Sequence, residues 1–255
     1  MRQIILLLFL ISFDSHSQIQ DVFVREADVL WSKKIWRVID KKQEVNTPLF
    51  FKNGDKNQSL SLFDIIKEEV LSGSLTAFKT DEVWDLFNSY SLKEINARLI
   101  PFRLLSEYEV NVSGDEFYVH RFNRDTIASS QIVQIWTLEN WFFDKSRSVM
   151  DFRLIAIAPV VFSVLDQKNT PLFWIFYPDC ASLLSNYSAI AVESKSEEIS
   201  FDRVFRTRRY SARIIKESNL YGRSLEDYVY GQDLLIESDR IKERIKDFEC
   251  DLWQW

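Results

Sequence analysis

Two long apolar runs in the middle of the chain, residues 132–143 and 149–161, constrain its fold more than any other feature. They are joined by the polar tetrapeptide Asp144-Lys145-Ser146-Arg147, and such a pair folds as an antiparallel hairpin. In the second run Asp151 and Arg153 alternate with Met150, Phe152 and Leu154, the pattern of a half-buried strand. Past Ile155 both faces become apolar. Residues 103–112 and 116–122 read as two further strands across Ser113-Gly114, and 172–177, six apolar residues with four aromatics, as an interior strand.

Helical periods flank this sheet. Asp28 is placed to cap a helix through Trp31, Ile35 and Val38, with Val29, Trp36 and Ile39 on an adjacent face, and 46–48 stop it. Both faces are apolar, which predicts a helix mostly buried or shared with a partner. Ser61 with Asp64 starts a second helix through Leu62, Ile65, Ile66 and Glu69, ended by Gly73. Residues 81–90 and 92–99 add two more, the last closed by Pro101. The Ser-rich stretch 186–198 reads as a surface loop. Residues 201–210 read as a basic helix that Ile214-Ile215 continues, and 219–222 break it. At the C-terminus, Leu234, Ser238, Ile241, Ile245, Phe248, Leu252 and Trp255 form a heptad seam with one polar member. The seam is barely three heptads long, which favours packing on its own domain over a coiled coil. The fold class expected is α+β: an antiparallel β-meander core with helices at the N- and C-terminal ends.

The chain opens Met1-Arg2-Gln3, runs apolar over residues 4–13, and reaches Ser15-His16-Ser17. That is a secretory signal peptide over 1–17 cleaved before Gln18, leaving one domain over 18–255. Its apolar stretch is too short for a permanent anchor, and with no cysteine at the cut no lipid anchor is expected. The other long apolar run, 154–165, is broken by Pro159. A formal net charge of −6 disfavours nucleic acid as a partner.

Signatures of catalysis are missing. Past residue 17 there is one histidine, His120, and the chain has no HExxH, GxSxG or CxxC. Five glycines in 255 residues offer no phosphate-cradling loop. No cofactor, metal or catalytic residue is expected. Glu139 and Asp151, across the hairpin, are the one carboxylate pair that could be tried as a glycosidase dyad, and no motif supports it. Cys180 and Cys250 permit one disulfide or two buried free thiols. The abundant aromatics (8 Trp, 9 Tyr, 20 Phe) are core, sugar-stacking or interface residues. The basic run Arg203, Arg206, Arg208, Arg209, Arg213, Lys216 is either a solvated helix face or a surface for an acidic partner. Arg206, Arg208 and Arg209, with Trp253 and Trp255 at the chain end, are the candidate interface.

Several segments resemble the GldN/PorN proteins of the type IX secretion system, which also supports gliding motility. They are DVLWSKKIWRVIDKKQEVNTPLFF (28–51), ENWFFDKSRSVMDFRLIAIAPV (139–160), PLFWIFYPDC (171–180), FDRVFRTRRYSARIIKESN (201–219) and the tail from Asp227 through LIESDRIKERIKDFECDLWQW. After Pro48 this chain departs from the family pattern, with Leu49-Phe50-Phe51-Lys52 in place of aromatics followed by a proline. The resemblance implies a non-catalytic periplasmic ring subunit, peripheral to the outer membrane and without a cofactor. It implies many copies bound to an outer-membrane lipoprotein of the GldK/PorK type and contact with the periplasmic part of a GldM/PorM-type motor protein. A monomeric secreted carbohydrate-binding module is the alternative; it would carry a line of exposed Trp or Tyr on a sheet face.

Overall fold

A strand, β1 (Val29–Asp40), opens the fold where a helix was expected. The structure is a computed structural model that describes residues 24–51, 60–80, 88–110, 116–124, 126–163, 166–190 and 198–252. The leader with its cleavage site, most of the expected helix 81–90, the Ser113-Gly114 turn, Trp253 and Trp255 lie outside these residues. Asp28 ends a single 3-10 turn (Glu26–Asp28) instead of capping a helix. The reason lies in residue type. Val29, Ile35, Val38 and Ile39 are β-branched and lose little side-chain freedom in a pleated strand. Trp31, Ile35 and Ile39 then share one face and Trp36 and Val38 the other, so a strand apolar on both faces imitates a helical period.

Two helices follow, α1 (Thr47–Phe50) and α2 (Leu62–Ser72). The signals for α2 act as expected: the Ser61 hydroxyl accepts the Asp64 N–H at 3.2 Å, and Gly73 takes the left-handed conformation that ends the helix. Strand β2 (Ala77–Phe78) is extended by a bridge from Phe78 to Ser89, so residues 88–90 are not helical. Helix α3 (Leu92–Leu99) starts on a Ser91–Glu94 capping box. Strands β3 (Phe102–Val110) and β4 (Glu116–Arg124) pair as a separate ribbon.

The central hairpin is β5 (Ile132–Asp144) and β6 (Val149–Ser163). Its turn is organised by Asp144, which accepts the Ser146 N–H at 2.8 Å and the Arg147 guanidinium at 2.6 Å. The Arg147 and Ser146 side chains hold the Asp144 carboxyl down at about 2. Strands β7 (Lys168–Pro171) and β8 (Trp174–Phe176) pair with the outer edge of β6. The apolar run 172–177 is therefore not a strand throughout: Tyr177 begins α4 (Tyr177–Ser185), with Pro178 in its first turn. The stretch 186–198 is likewise not loop throughout. It supplies β9 (Ser188–Ile190), which pairs with β10 (Glu198–Ser200) and buries Ala189 completely. The basic helix is short, α5 (Phe201–Arg206), and Ile214-Ile215 belong to a strand, β11 (Arg213–Glu217). Helix α6 (Asp233–Leu252) is the last described element.

The main sheet runs β11-β1-β5-β6-β8-β2, antiparallel throughout, with β7 also on β6. This is the α+β class expected, with its N-terminal helical layer placed after β1. One face carries Ile39, Ile135, Ile157 and Ile175 into a core closed by helical residues such as Ile66, Leu99, Leu184 and Phe205. Further along the same face, Ile241 and Ile245 of α6 pack on Ile35 and Ile214. The heptad seam thus lies on its own domain. Its polar member, Ser238, is buried and accepts the Ile214 N–H at 2.9 Å. That bond satisfies a backbone donor on the sheet's edge strand.

Candidate interaction surface

Between the two cores on the covered face sits a knot of charge. Glu139 on β5 is 0% exposed, and its carboxylate accepts hydrogen bonds from Arg37 (3.1 Å), Arg208 (2.9 Å), Trp141 (2.7 Å), Thr137 (3.0 Å) and Tyr210 (3.4 Å). Arg208 reaches it from the turn after α5, where it has a positive φ of 51° and lies 3.4 Å from the centre of the Phe152 ring. Burial lowers the pKa of the Arg208 guanidinium and raises that of the Tyr210 phenol. Asp151, the other half of the proposed dyad, instead pairs with Arg147 at 2.9 Å. With Glu139 sealed and bonded by five donors, the two carboxylates do not share a cleft.

The basic run is therefore divided. Arg208 points inward and is no free surface cation. Arg206 pairs with Asp202 at 2.8 Å, and Arg209 is exposed. The two cysteines are neither bridged nor both buried. Cys180 is buried on α4, its thiol donating to the Tyr177 carbonyl at 3.3 Å and pushed up to about 12 by burial. Cys250 is exposed on α6.

The second face of the sheet is built differently. Register places Val38, Trp136, Ala158, Trp174 and Phe78 in one row across five strands. Trp36, Leu138, Ala156 and Phe176 form the next. The two alanines of β6 let the large rings on either side fold over them, so Ala156, Ala158 and Leu138 are fully buried without a covering helix among the described residues. The Trp136 indole donates to Gln134 at 3.2 Å, and Gln134 in turn donates to Asp40 at 3.1 Å. Lys216, opposite Trp36 on β11, holds its ammonium 5.2 Å from the centre of that ring.

Where this face meets the loop after β11, a groove of about 350 Å³ opens between Trp36, Trp136, Trp174, Tyr221 and Arg223. Tyr221 (79%) on its wall and Leu220 (99%) next to it are strongly exposed, and further along the chain Tyr228 (49%), Tyr230 (76%), Leu235 (54%) and Ile236 (51%) are exposed as well. Sequence reasoning passed over this surface because it assigned residues 28–39 to a helix and 219–222 to punctuation. No alternation in residues 34–39 marks it, because apolar side chains stand on both faces of β1.

The arrangement defines a class: an antiparallel α+β protein whose buried charge is locked on one sheet face while aromatic side chains line an open groove on the other. Residues 24–254 match the model of the family described as gliding motility associated protein GldN, and the chain belongs to that family. No curated protein sequence matches it. No helix among the described residues is long and apolar enough to cross a membrane.

Proposed function

We propose that this chain is a non-catalytic structural subunit of the type IX protein secretion and gliding-motility machinery. Its leader, 1–17, exports it to the periplasm, where it is peripheral to the outer membrane. There it assembles into a ring with an outer-membrane lipoprotein of the GldK/PorK type and contacts the periplasmic part of a GldM/PorM-type motor protein. Membership of the gliding-motility family supports this reading. The observation that carries it is the tryptophan groove with the exposed Tyr221 on its wall and Leu220 next to it. Exposed large apolar side chains around a groove mark a contact site. The test is affinity purification from the envelope, with solution mass of the mature protein alone and with its partner. An N-terminus at Gln18, a mass above the monomer and recovery of the lipoprotein are expected. A monomer that brings down no envelope protein would sink the reading.

A monomeric sugar-binding module is the second reading, favoured by the tryptophans aligned on a sheet face. Against it, Trp174 is only 5% exposed, and the most exposed side chain of the neighbouring patch is the aliphatic Leu220. Aliphatic groups offer no stacking face. Retention of the monomer on a glycan column would favour it.

A further inference from the structure

We infer that the tryptophan groove, with Leu220 and Tyr221 at its rim, binds an acidic stretch of a partner protein that carries large apolar side chains. The inference rests on the assembly reading and adds to it the place and the chemistry of one contact.

Charge distribution makes the argument. On the covered face each nearby cation has its carboxylate: Arg37 has Glu139, Arg206 has Asp202, and Lys33 has Glu217 at 2.8 Å. The opposite face differs. Lys216 lies opposite Trp36, Arg213 opposite Val38, and Arg153 and Lys34 flank Asn140. Arg223 lines the groove. Among the described residues none of these five makes an ion pair, although the whole chain carries a net charge of −6. The nearest carboxylates are mostly occupied. Asp227 caps the Ser224 N–H at 2.6 Å, and Asp40 accepts from Gln134 and the Lys42 N–H. Glu226 alone on the groove wall is uncommitted among the described residues. Cations left without carboxylates around an aromatic groove are complementary to an acidic partner.

The apolar component selects protein over other anions. Tyr221 continues the aromatic lining outward, and Leu220, next to it in the chain, is almost wholly exposed. Aromatic side chains and arginine around an apolar centre are the composition of protein interfaces. A phosphate-rich surface would use the cations and leave the aliphatic groups in water.

The test places a photoreactive benzoylphenylalanine at Tyr221, in the full chain expressed in its own envelope, with the same group at Ser182 on α4 as control. After irradiation, mass spectrometry maps the joined peptide. The expected product from Tyr221 is a peptide of another protein, rich in Asp or Glu and in large apolar residues; Ser182 gives none. In parallel, Arg213→Glu/Lys216→Glu/Arg223→Glu should lower recovery of that partner about tenfold, with an unchanged melting curve. If the triple variant melts early, Arg223→Glu alone, at an exposed position, replaces it. The inference is overturned if the complex forms but Tyr221 joins only a second copy of this chain, a lipid, a glycan or a segment without acidic residues. It is equally overturned if the charge-reversed protein keeps its partner. In each case assembly would stand and only this surface would fail, whereas a wild-type protein that recovers no partner removes both.

Discussion

Replacing Glu139 with Gln tests whether the buried charge knot holds the two cores together. The substitution keeps the shape and removes the only anion bonded to Arg37 and Arg208 among the described residues. With charge centres about 4 Å apart and an effective dielectric near 20, each pair contributes about 4 kcal/mol of attraction. The two do not add. The guanidiniums repel each other, and Arg208, whose side chain is 30% exposed, can turn toward water. Arg37, at 10%, cannot, and its Nε already lacks an acceptor. The net effect is close to stranding one buried cation, about 3–5 kcal/mol. That is a large share of the roughly 5–15 kcal/mol that holds most domains folded. Urea unfolding followed by far-UV circular dichroism measures it. Glu139→Gln/Arg37→Met should recover about half of the loss, because the stranded cation is gone. A single variant within about 1 kcal/mol of wild type, the range of exposed ion pairs, would refute the reasoning.

Two further outcomes follow from the same structure. Ser238→Ala removes the acceptor of the Ile214 N–H and should cost about 1–3 kcal/mol; unchanged hydrogen-exchange protection at Ile214 would contradict this. At pH 8 a disulfide-exchange reagent should label one thiol of the native protein, the exposed Cys250. Cys180, with its thiol pushed up to about 12, should react only after unfolding, and two fast thiols in the native state would overturn its placement.

Local signals in the sequence were reliable wherever the structure they specify is local. Ser61 and Gly73 bounded α2, Ser91 and Glu94 began α3, and the Asp144 turn set the hairpin, because each acts on backbone groups within a few residues. Strands β1 and β11 were misread for one reason. A strand apolar on both faces shows no alternation of apolar and polar residues, so Trp31, Ile35 and Val38 fit a helical spacing equally well. The charge knot had no local signature. Glu139 meets Arg37 across 102 residues and Arg208 across 69, and only the sheet and the turn after α5 bring them together. The arginine-rich run suggested an exposed helix face, yet α5 ends at Arg206, and the left-handed turn at Arg208 sends that side chain inward.

The pairing of β1 with β11 carries a kinetic consequence. Ile35 lies opposite Glu217, 182 positions later in the chain (217 − 35). The second edge of β1 therefore has no partner until nearly the whole polypeptide has been made. At roughly 5–20 residues per second, that leaves the edge open for roughly 10–35 s. Long-range antiparallel pairing is also among the slower steps in folding. A chain assembled this way stays threadable while it is being synthesised and closes late, when β11 docks and α6 seals it through Ser238. Substitutions in the last quarter of the sequence should then act on the final closing step, while those in the β5–β6 hairpin act on collapse.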